Sequence, residues 1–179
     1  KKIGIEPKMK VIGYCGRIGR EKNLGTLLDA YRIVKMRNKD TKLLIVGEGI
    51  KEITRQFEKE KDCILAGIQD NVIPYLQAMD IYVLPSLTET SSLSTMEAMS
   101  CGVCCCVTEV GYVKKYIMNK ENGVFFPKNN ASILATKINW LLEDDNIREK
   151  LGRAARKTIE KKFSWKNTAR KITDILSRF

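Results

Sequence analysis

Two carboxylates, Glu89 and Glu97, flank seven residues in the stretch Glu89-Thr90-Ser91-Ser92-Leu93-Ser94-Thr95-Met96-Glu97. The apolar run Ile81-Tyr82-Val83-Leu84 ahead of them reads as a strand closed by Pro85-Ser86, and the residues from about Ser92 to Cys101 read as a helix. Glu89 then lies in the loop leaving a strand, Ser91, Ser92 and Leu93 open a helix, and Glu97 sits inside it. Free backbone N–H groups in the first turn of a helix bind an anion or a sugar oxygen. The two oxygens of Glu97 suit a vicinal diol. A carboxylate pair also suits general acid and base roles of the kind that cleave glycosidic bonds.

A second set of polar residues weighs against the acid–base reading. Gly13-Tyr14-Cys15-Gly16-Arg17-Ile18-Gly19-Arg20-Glu21-Lys22-Asn23 follows an apolar strand and feeds a helix. Its glycines are spaced G-x-x-G-x-x-G, which fails the dinucleotide fingerprint, and no Gly-Lys-Ser/Thr follows to make a P-loop. What remains is a glycine loop carrying Arg17 and Lys22. A guanidinium fork and a lysine point charge at a helix start fit a diphosphate. Beside such charges Glu89 and Glu97 read as holders of hydroxyl groups.

The elements that must position these residues alternate. Strands are expected at Met9–Cys15, Lys42–Val46, Cys63–Ala66, Ile81–Leu84, Val103–Val107 and Gly123–Pro127. Helices are expected where Leu24, Leu27, Leu28, Tyr31 and Val34 recur, at about Ile50–Lys61, Val72–Met79 and Ser92–Cys101, and more weakly over Gly111–Met118. Beyond residue 127 the pattern is all helical: one face of Leu134, Ile138, Leu141 and Leu142, another of Ile147, Leu151, Ala154 and Thr158. Ser164 then caps a closing helix with Trp165, Ala169, Ile172, Leu176 and Phe179 on one side. Short apolar strands separated by helices predict an α/β domain, a doubly wound parallel sheet of about six strands, Rossmann-like, with helices on both faces and a helical extension. Residues 1–179 form a single domain without linker or repeat. Ligands of such sheets bind at the carboxyl ends of the strands, where the residues above fall.

Charge, cysteines and hydropathy bound the function classes. The chain has 179 residues and a net charge of +11. Residues 1–22 carry seven Lys/Arg against two acids and residues 145–179 eleven against four, so the basic excess lies at the two ends. That excess suits a phosphate-rich ligand or an anionic membrane surface. The aromatic interleaving of a single-strand binder is missing, which argues against nucleic acid. No apolar run approaches the roughly 18 residues of a membrane helix, and the first residues lack a signal-peptide core. A start at Lys1 rather than Met suggests a piece of something longer. Six cysteines with no histidine make a metal site an unfavoured reading, since neighbours in Cys104-Cys105-Cys106 would point to opposite faces of a strand. They read instead as small buried hydrophobes of a reduced, cytoplasmic protein.

In order along the chain, Gly16-Arg17 with Lys22-Asn23, Val46-Gly47-Glu48-Gly49, Leu65-Ala66-Gly67, Asp80–Ser86 leading into Glu89 through Glu97, Gly123–Pro127 and Phe163-Ser164-Trp165 resemble a known set of landmarks. The set is that of the carboxyl-terminal, nucleotide-sugar-binding half of retaining glycosyltransferases of the GT-B fold, with the E-x7-E signature. The resemblance implies hexosyl transfer from a UDP-, GDP- or ADP-linked sugar with retained configuration, without metal or other cofactor. It implies that Arg17 and Lys22 hold the leaving diphosphate, that Glu89 contacts the donor sugar and Glu97 the ribose. Gly16, Gly47 and the amides of Ser92 and Leu93 would line the phosphate and sugar, with Ser91 beside them, and Leu65, Ala66 and Gly67 would seat the base. It places an acceptor domain ahead of Lys1, with residues 1–6 ending the hinge and Trp165 anchoring the last helix toward that half. A membrane-peripheral location and a lipid-linked acceptor are compatible with the basic tail. A nucleotide-binding regulatory domain that has lost catalysis is the alternative, disfavoured by the joint presence of Arg17, Lys22, Glu89 and Glu97. The chain departs from the family pattern at Ser91-Ser92, where an aromatic and a glycine are frequent, at Gly111-Tyr112 for Gly-Gly, and at Lys115 for a glutamate.

Overall fold

A computed structural model describes residues 5–177, so Phe179 and the first four residues of the hinge expected over residues 1–6 lie outside the described residues. The strands are β1 (Lys10–Cys15), β2 (Thr41–Val46), β3 (Cys63–Gly67), β4 (Ile81–Leu84), β5 (Cys104–Thr108) and β6 (Val124–Phe126). The helices are α1 (Leu24–Arg37), α2 (Lys51–Glu58), α3 (Ile73–Gln77), α4 (Leu93–Ser100), α5 (Val113–Tyr116), α6 (Ala131–Glu143), α7 (Asp145–Lys162) and α8 (Trp165–Leu176). All six strands pair in parallel, in the order β3-β2-β1-β4-β5-β6. This is the doubly wound sheet expected from the alternating pattern.

The strands are continuous apolar runs because both faces of the sheet are covered. Right-handed crossovers send α1 and α2 to one face and α3 and α4 to the other. α6 then packs on α1, and α7 on α4 and β5. Each apolar residue expected on α1 and α6 is buried. Cys104, Cys105 and Cys106 are core residues of β5, and burial pushes the Cys104 thiol up to about 12.

One expectation about the closing helices needs correction. The buried stripe of α7 is Arg148, Leu151, Gly152, Ala155, Thr158 and Ile159, which leaves Ile147 and Ala154 at its margin. The shift follows from close approach of the backbone: a Cβ on Gly152 would stand 2.0 Å from the carbonyl oxygen of Gly102. Arg148 is buried because its guanidinium reaches the Leu141 carbonyl, Asp145 and Asp80. α8 begins as expected, with the Asn167 N–H donating to Ser164 Oγ, yet none of its residues is buried and Trp165 is 88% exposed.

Candidate functional site

The chain leaves β1 toward β2 and leaves β4 toward β5, so a crevice opens where the loops after β1 and β4 diverge. Three loops close its floor by backbone contact alone. The Gly16 N–H donates to the Val46 carbonyl at 2.9 Å, and the Gly47 N–H to the Gly67 carbonyl at 2.7 Å. Gly47 has φ +117°, and a Cβ there would stand 2.1 Å from the Gly16 oxygen, so the position admits only glycine.

The other wall is the segment from Pro85 to Leu93. Lys22 Nζ lies 2.6 Å from Glu89 Oε1, and Ser86 Oγ donates to the same oxygen at 2.7 Å. The Lys22 and Glu89 side chains are only 17% and 7% exposed, so this ion pair is shielded from solvent. Further ties hold the two loops together: the Leu87 N–H donates to the Glu21 carbonyl, and Asn23 Nδ2 to the Pro85 carbonyl. Behind Glu89 lies Gly111, where φ is +50° and a Cβ would stand 1.8 Å from the Glu89 carbonyl oxygen. The Tyr112 N–H donates to Thr90 O at 2.7 Å. Gly111 is therefore part of the seat that fixes Glu89, whereas Tyr112 projects half-exposed.

Ser92 precedes α4 with φ +52°, a left-handed conformation uncommon for serine. Its hydroxyl shares a hydrogen bond with Thr95 Oγ1 at 2.8 Å instead of capping the helix. The amides of Leu93 and Ser94 thus open α4 with no preceding turn to accept them, beside Gly16: Ser94 Oγ is 3.7 Å from where a Gly16 Cβ would be. Leu93 itself is 69% exposed.

The structure joins Lys22 to Glu89 but keeps Arg17 apart from both, exposed and paired with Glu21 at 2.5 Å. Arg17 lines a cleft of about 450 Å³ with Cys15, Gly16, Gly47 and Gly49. The cleft's outer wall is Ile68, Gln69 and Val72, three residues the sequence did not single out. Leu65, Ala66 and Gly67 lie just before that wall in β3, and Gln69 Nε2 donates to the Ala66 carbonyl at 2.6 Å. Glu97 opens onto an adjoining hollow with Asp70, Asn71, Gln77 and Arg156, and Val72 borders both hollows. Desolvation raises the Glu97 carboxyl above the ordinary glutamate range.

Three buried tyrosines were legible only as core residues. Tyr14 and Tyr82 come from β1 and β4 and Tyr116 from α5, and each hydroxyl bonds a residue of the crevice loops. Nothing in residue spacing distinguishes such a tyrosine from a phenylalanine in a strand.

A family model described as "Glycosyl transferases group 1" matches residues 1–158. Among curated proteins, N-acetyl-alpha-D-glucosaminyl L-malate synthase of Bacillus anthracis is 27% identical over 168 residues, covering 91% of this chain and 44% of that protein. The capsular polysaccharide biosynthesis glycosyltransferase CapM of Staphylococcus aureus is 29% identical over 160 residues, covering 86% and 42%. The chain thus spans less than half the length of these relatives. Among solved structures, Anabaena Alr3699/HepE in complex with UDP superimposes with a TM-score of 0.91 at 20% identity, covering 99% of this chain and 51% of that one. The C-terminal domain of a glycosyl transferase group 1 family protein (LpcC) from Francisella tularensis gives 0.78 at 24%, covering 87% of each chain.

Proposed function

Since this chain belongs to the glycosyl transferases group 1 family, we propose that it supplies the half that binds a nucleoside-diphosphate sugar, for transfer with retained configuration. The observation that carries the reading is the shielded Lys22–Glu89 pair spanning the crevice, beside the open first turn of α4 and the Arg17-lined cleft. A diphosphate at this point would meet the amides of Leu93 and Ser94, Lys22 and Arg17. These fixed positive groups offset the charge that develops on the leaving diphosphate as the glycosidic bond breaks.

Glu89 would face the donor sugar. Lys22 and Ser86 hold its Oε1, which orients the carboxylate so that Oε2 accepts from a sugar hydroxyl. The nucleoside would occupy the 450 Å³ cleft, its base against Ile68 and Val72 and the β3 end Leu65–Gly67, its ribose toward Glu97 across the Val72 border. UDP in the Anabaena protein makes UDP the first ligand to try. The sugar meets Ser91 and Ser92, a small hydroxylated wall. The acceptor, the rest of the machinery and any contact with a lipid-linked substrate belong in this reading to residues beyond these 179, so the chain alone binds without efficient turnover.

Calorimetry with UDP, GDP and ADP tests the proposal. One of the three binds, and Arg17→Ala or Lys22→Ala weakens it by about 1.5–3 kcal/mol, the scale of hydrogen bonds to charged groups. Binding of flavin or NAD in place of all three sinks the reading, as does robust sugar transfer by the isolated chain. Glu97 gives a pH signature: its raised carboxyl protonates early as pH falls, and the neutral form loses the acceptor that a diol needs. Affinity therefore declines on acidification at a higher pH than an ordinary glutamate would give, and Glu97→Gln removes that limb. Glu97→Ala costs more with a ribonucleotide than with its 2′,3′-dideoxy analogue; equal losses remove Glu97 from the ribose.

A further inference from the structure

The three buried tyrosine hydroxyls under the crevice have no part in the reading above, and they converge. Tyr14 OH donates to the Arg17 carbonyl at 2.8 Å. Tyr82 OH shares a hydrogen bond with Ser94 Oγ at 2.9 Å and accepts a longer one from Thr95 Oγ1 at 3.5 Å, while Thr95 also bonds Ser92 Oγ. Tyr116 OH donates to the Ser91 carbonyl at 2.7 Å. The three rings are 0%, 0% and 1% exposed. Each hydroxyl partner lies in a loop or first turn that carries a proposed ligand contact, and together the partners bracket Arg17, Glu89 and the α4 amides.

Packing does not require these hydroxyls. A phenylalanine fills the same volume, and a buried hydroxyl is unfavourable unless it is bonded. Here every hydroxyl reaches outward, to a loop or to the first turn of α4, never to the sheet. Gly16 marks the convergence: a Cβ there would stand 3.0 Å from Tyr14 OH and 3.7 Å from Ser94 Oγ, the partner of Tyr82, so the β1 hydroxyl and the α4 end of the Tyr82 bond flank one glycine where the loops diverge. Burial raises all three phenols, which therefore stay protonated at every working pH.

We infer that Tyr14, Tyr82 and Tyr116 are positioning residues, a clamp of three hydroxyls that holds the loops after β1 and β4 in the shape that receives the diphosphate and sugar. The ligand in this inference rests on the donor-binding reading; the clamping of the loops does not. Preformed loops spare a ligand the ordering of flexible backbone when it binds. The clamp also accounts for the left-handed Ser92: the Ser91 carbonyl held by Tyr116 and the Ser92 hydroxyl held through Thr95 fix both sides of that strained residue.

The test uses Tyr14→Phe, Tyr82→Phe and Tyr116→Phe in the 179-residue chain, with two readouts. Amide hydrogen exchange should accelerate about five- to tenfold, the effect of losing one neutral hydrogen bond, over residues 16–23 in the first variant and 86–95 in the other two. Amides of β1, β2, β4 and β5 should keep their rates. Affinity for the nucleoside diphosphate that binds the unaltered chain should weaken by a similar factor. Ser94→Ala removes the Tyr82 partner from the loop side without touching the core, and should reproduce Tyr82→Phe if that variant folds poorly. Equal acceleration in loops and strands, or none, overturns the clamp, as does loosening of the loops with affinity unchanged. If the unaltered chain binds no nucleoside diphosphate while the loops loosen as described, the donor-binding reading falls and the clamp stands as a loop-holding device.

Discussion

Two left-handed glycines separate steric demand from backbone demand. At Gly111 a methyl would stand 1.8 Å from the Glu89 carbonyl oxygen, whereas at Gly67, with φ +64°, nothing lies within 4 Å. Gly67→Ala should therefore show only the conformational cost of a left-handed alanine, about 1–2 kcal/mol in urea unfolding. Gly111→Ala must also displace the Glu89–Thr90 backbone, and should lose more than that together with nucleotide affinity. Similar losses at the two positions would mean that the Gly111 contact relaxes freely. The Lys22–Glu89 pair is tested by a double-mutant cycle. Lys22→Met leaves a carboxylate that is 7% exposed with Ser86 as its remaining protein partner, and should destabilise the fold by about 3 kcal/mol. Glu89→Gln in the same chain should recover much of that loss; strict additivity would show that the pair is uncoupled in solution.

At the scale of elements, Asp62 ties three pieces of chain at one end of the sheet. Its carboxylate accepts from Lys42 of β2 and Lys35 of α1, just ahead of β3. Hydrogen bonds to these two lysines lower its carboxyl to about 2. A folded value below the unfolded one means that the stabilisation is complete above about pH 4 and is lost as pH falls toward 2. The site is partly open to solvent, so Asp62→Asn should cost about 1 kcal/mol at neutral pH rather than the full linkage value, and the gap between variant and parent should close between pH 4 and 2. A gap independent of pH would assign the loss to packing. The elements themselves were readable because each strand is a short apolar run and α1 and α6 keep one strict stripe. The order of the Gly16, Gly47 and Glu89 loops was readable for the same reason, since strand ends place them. What escaped was set by tertiary contact: the shifted α7 stripe by the Gly102–Gly152 approach, the seat under Glu89 by Gly111, and the cleft wall at Ile68, Gln69 and Val72 by how β3 ends. A buried tyrosine hydroxyl leaves no periodic trace at all.

For the whole molecule, the basic excess is not a property of the crevice. Its larger share lies in residues 145–179, which include α7 and α8, with eleven Lys/Arg against four acids. The crevice holds Arg17 and Lys22, each paired with an acid. A diphosphate is thus received by a few placed donors rather than by a broad positive field, and its affinity should depend less on salt than the net charge of +11 suggests.

The boundary of the cooperative unit follows from the same distribution of contacts. α7 closes on Phe163, whose ring meets Tyr116 edge-on at 5.9 Å, whereas α8 beyond Ser164 buries none of its described residues. A helix of 12 residues without tertiary support is marginal in water. A chain ending at Ser164 should therefore match the full chain within about 0.5 kcal/mol in urea unfolding and keep its nucleotide affinity. Ending it at Lys162 removes Phe163 and should cost a further 0.5–1.5 kcal/mol or so, the value of an aromatic pair, with faster exchange in the Tyr116-held loop. A loss above about 2 kcal/mol on removal of α8 alone would show that its apolar stripe of Trp165, Ile172, Ile175 and Leu176 is buried in solution. That outcome would move the edge of the folding unit from Phe163 to the end of α8.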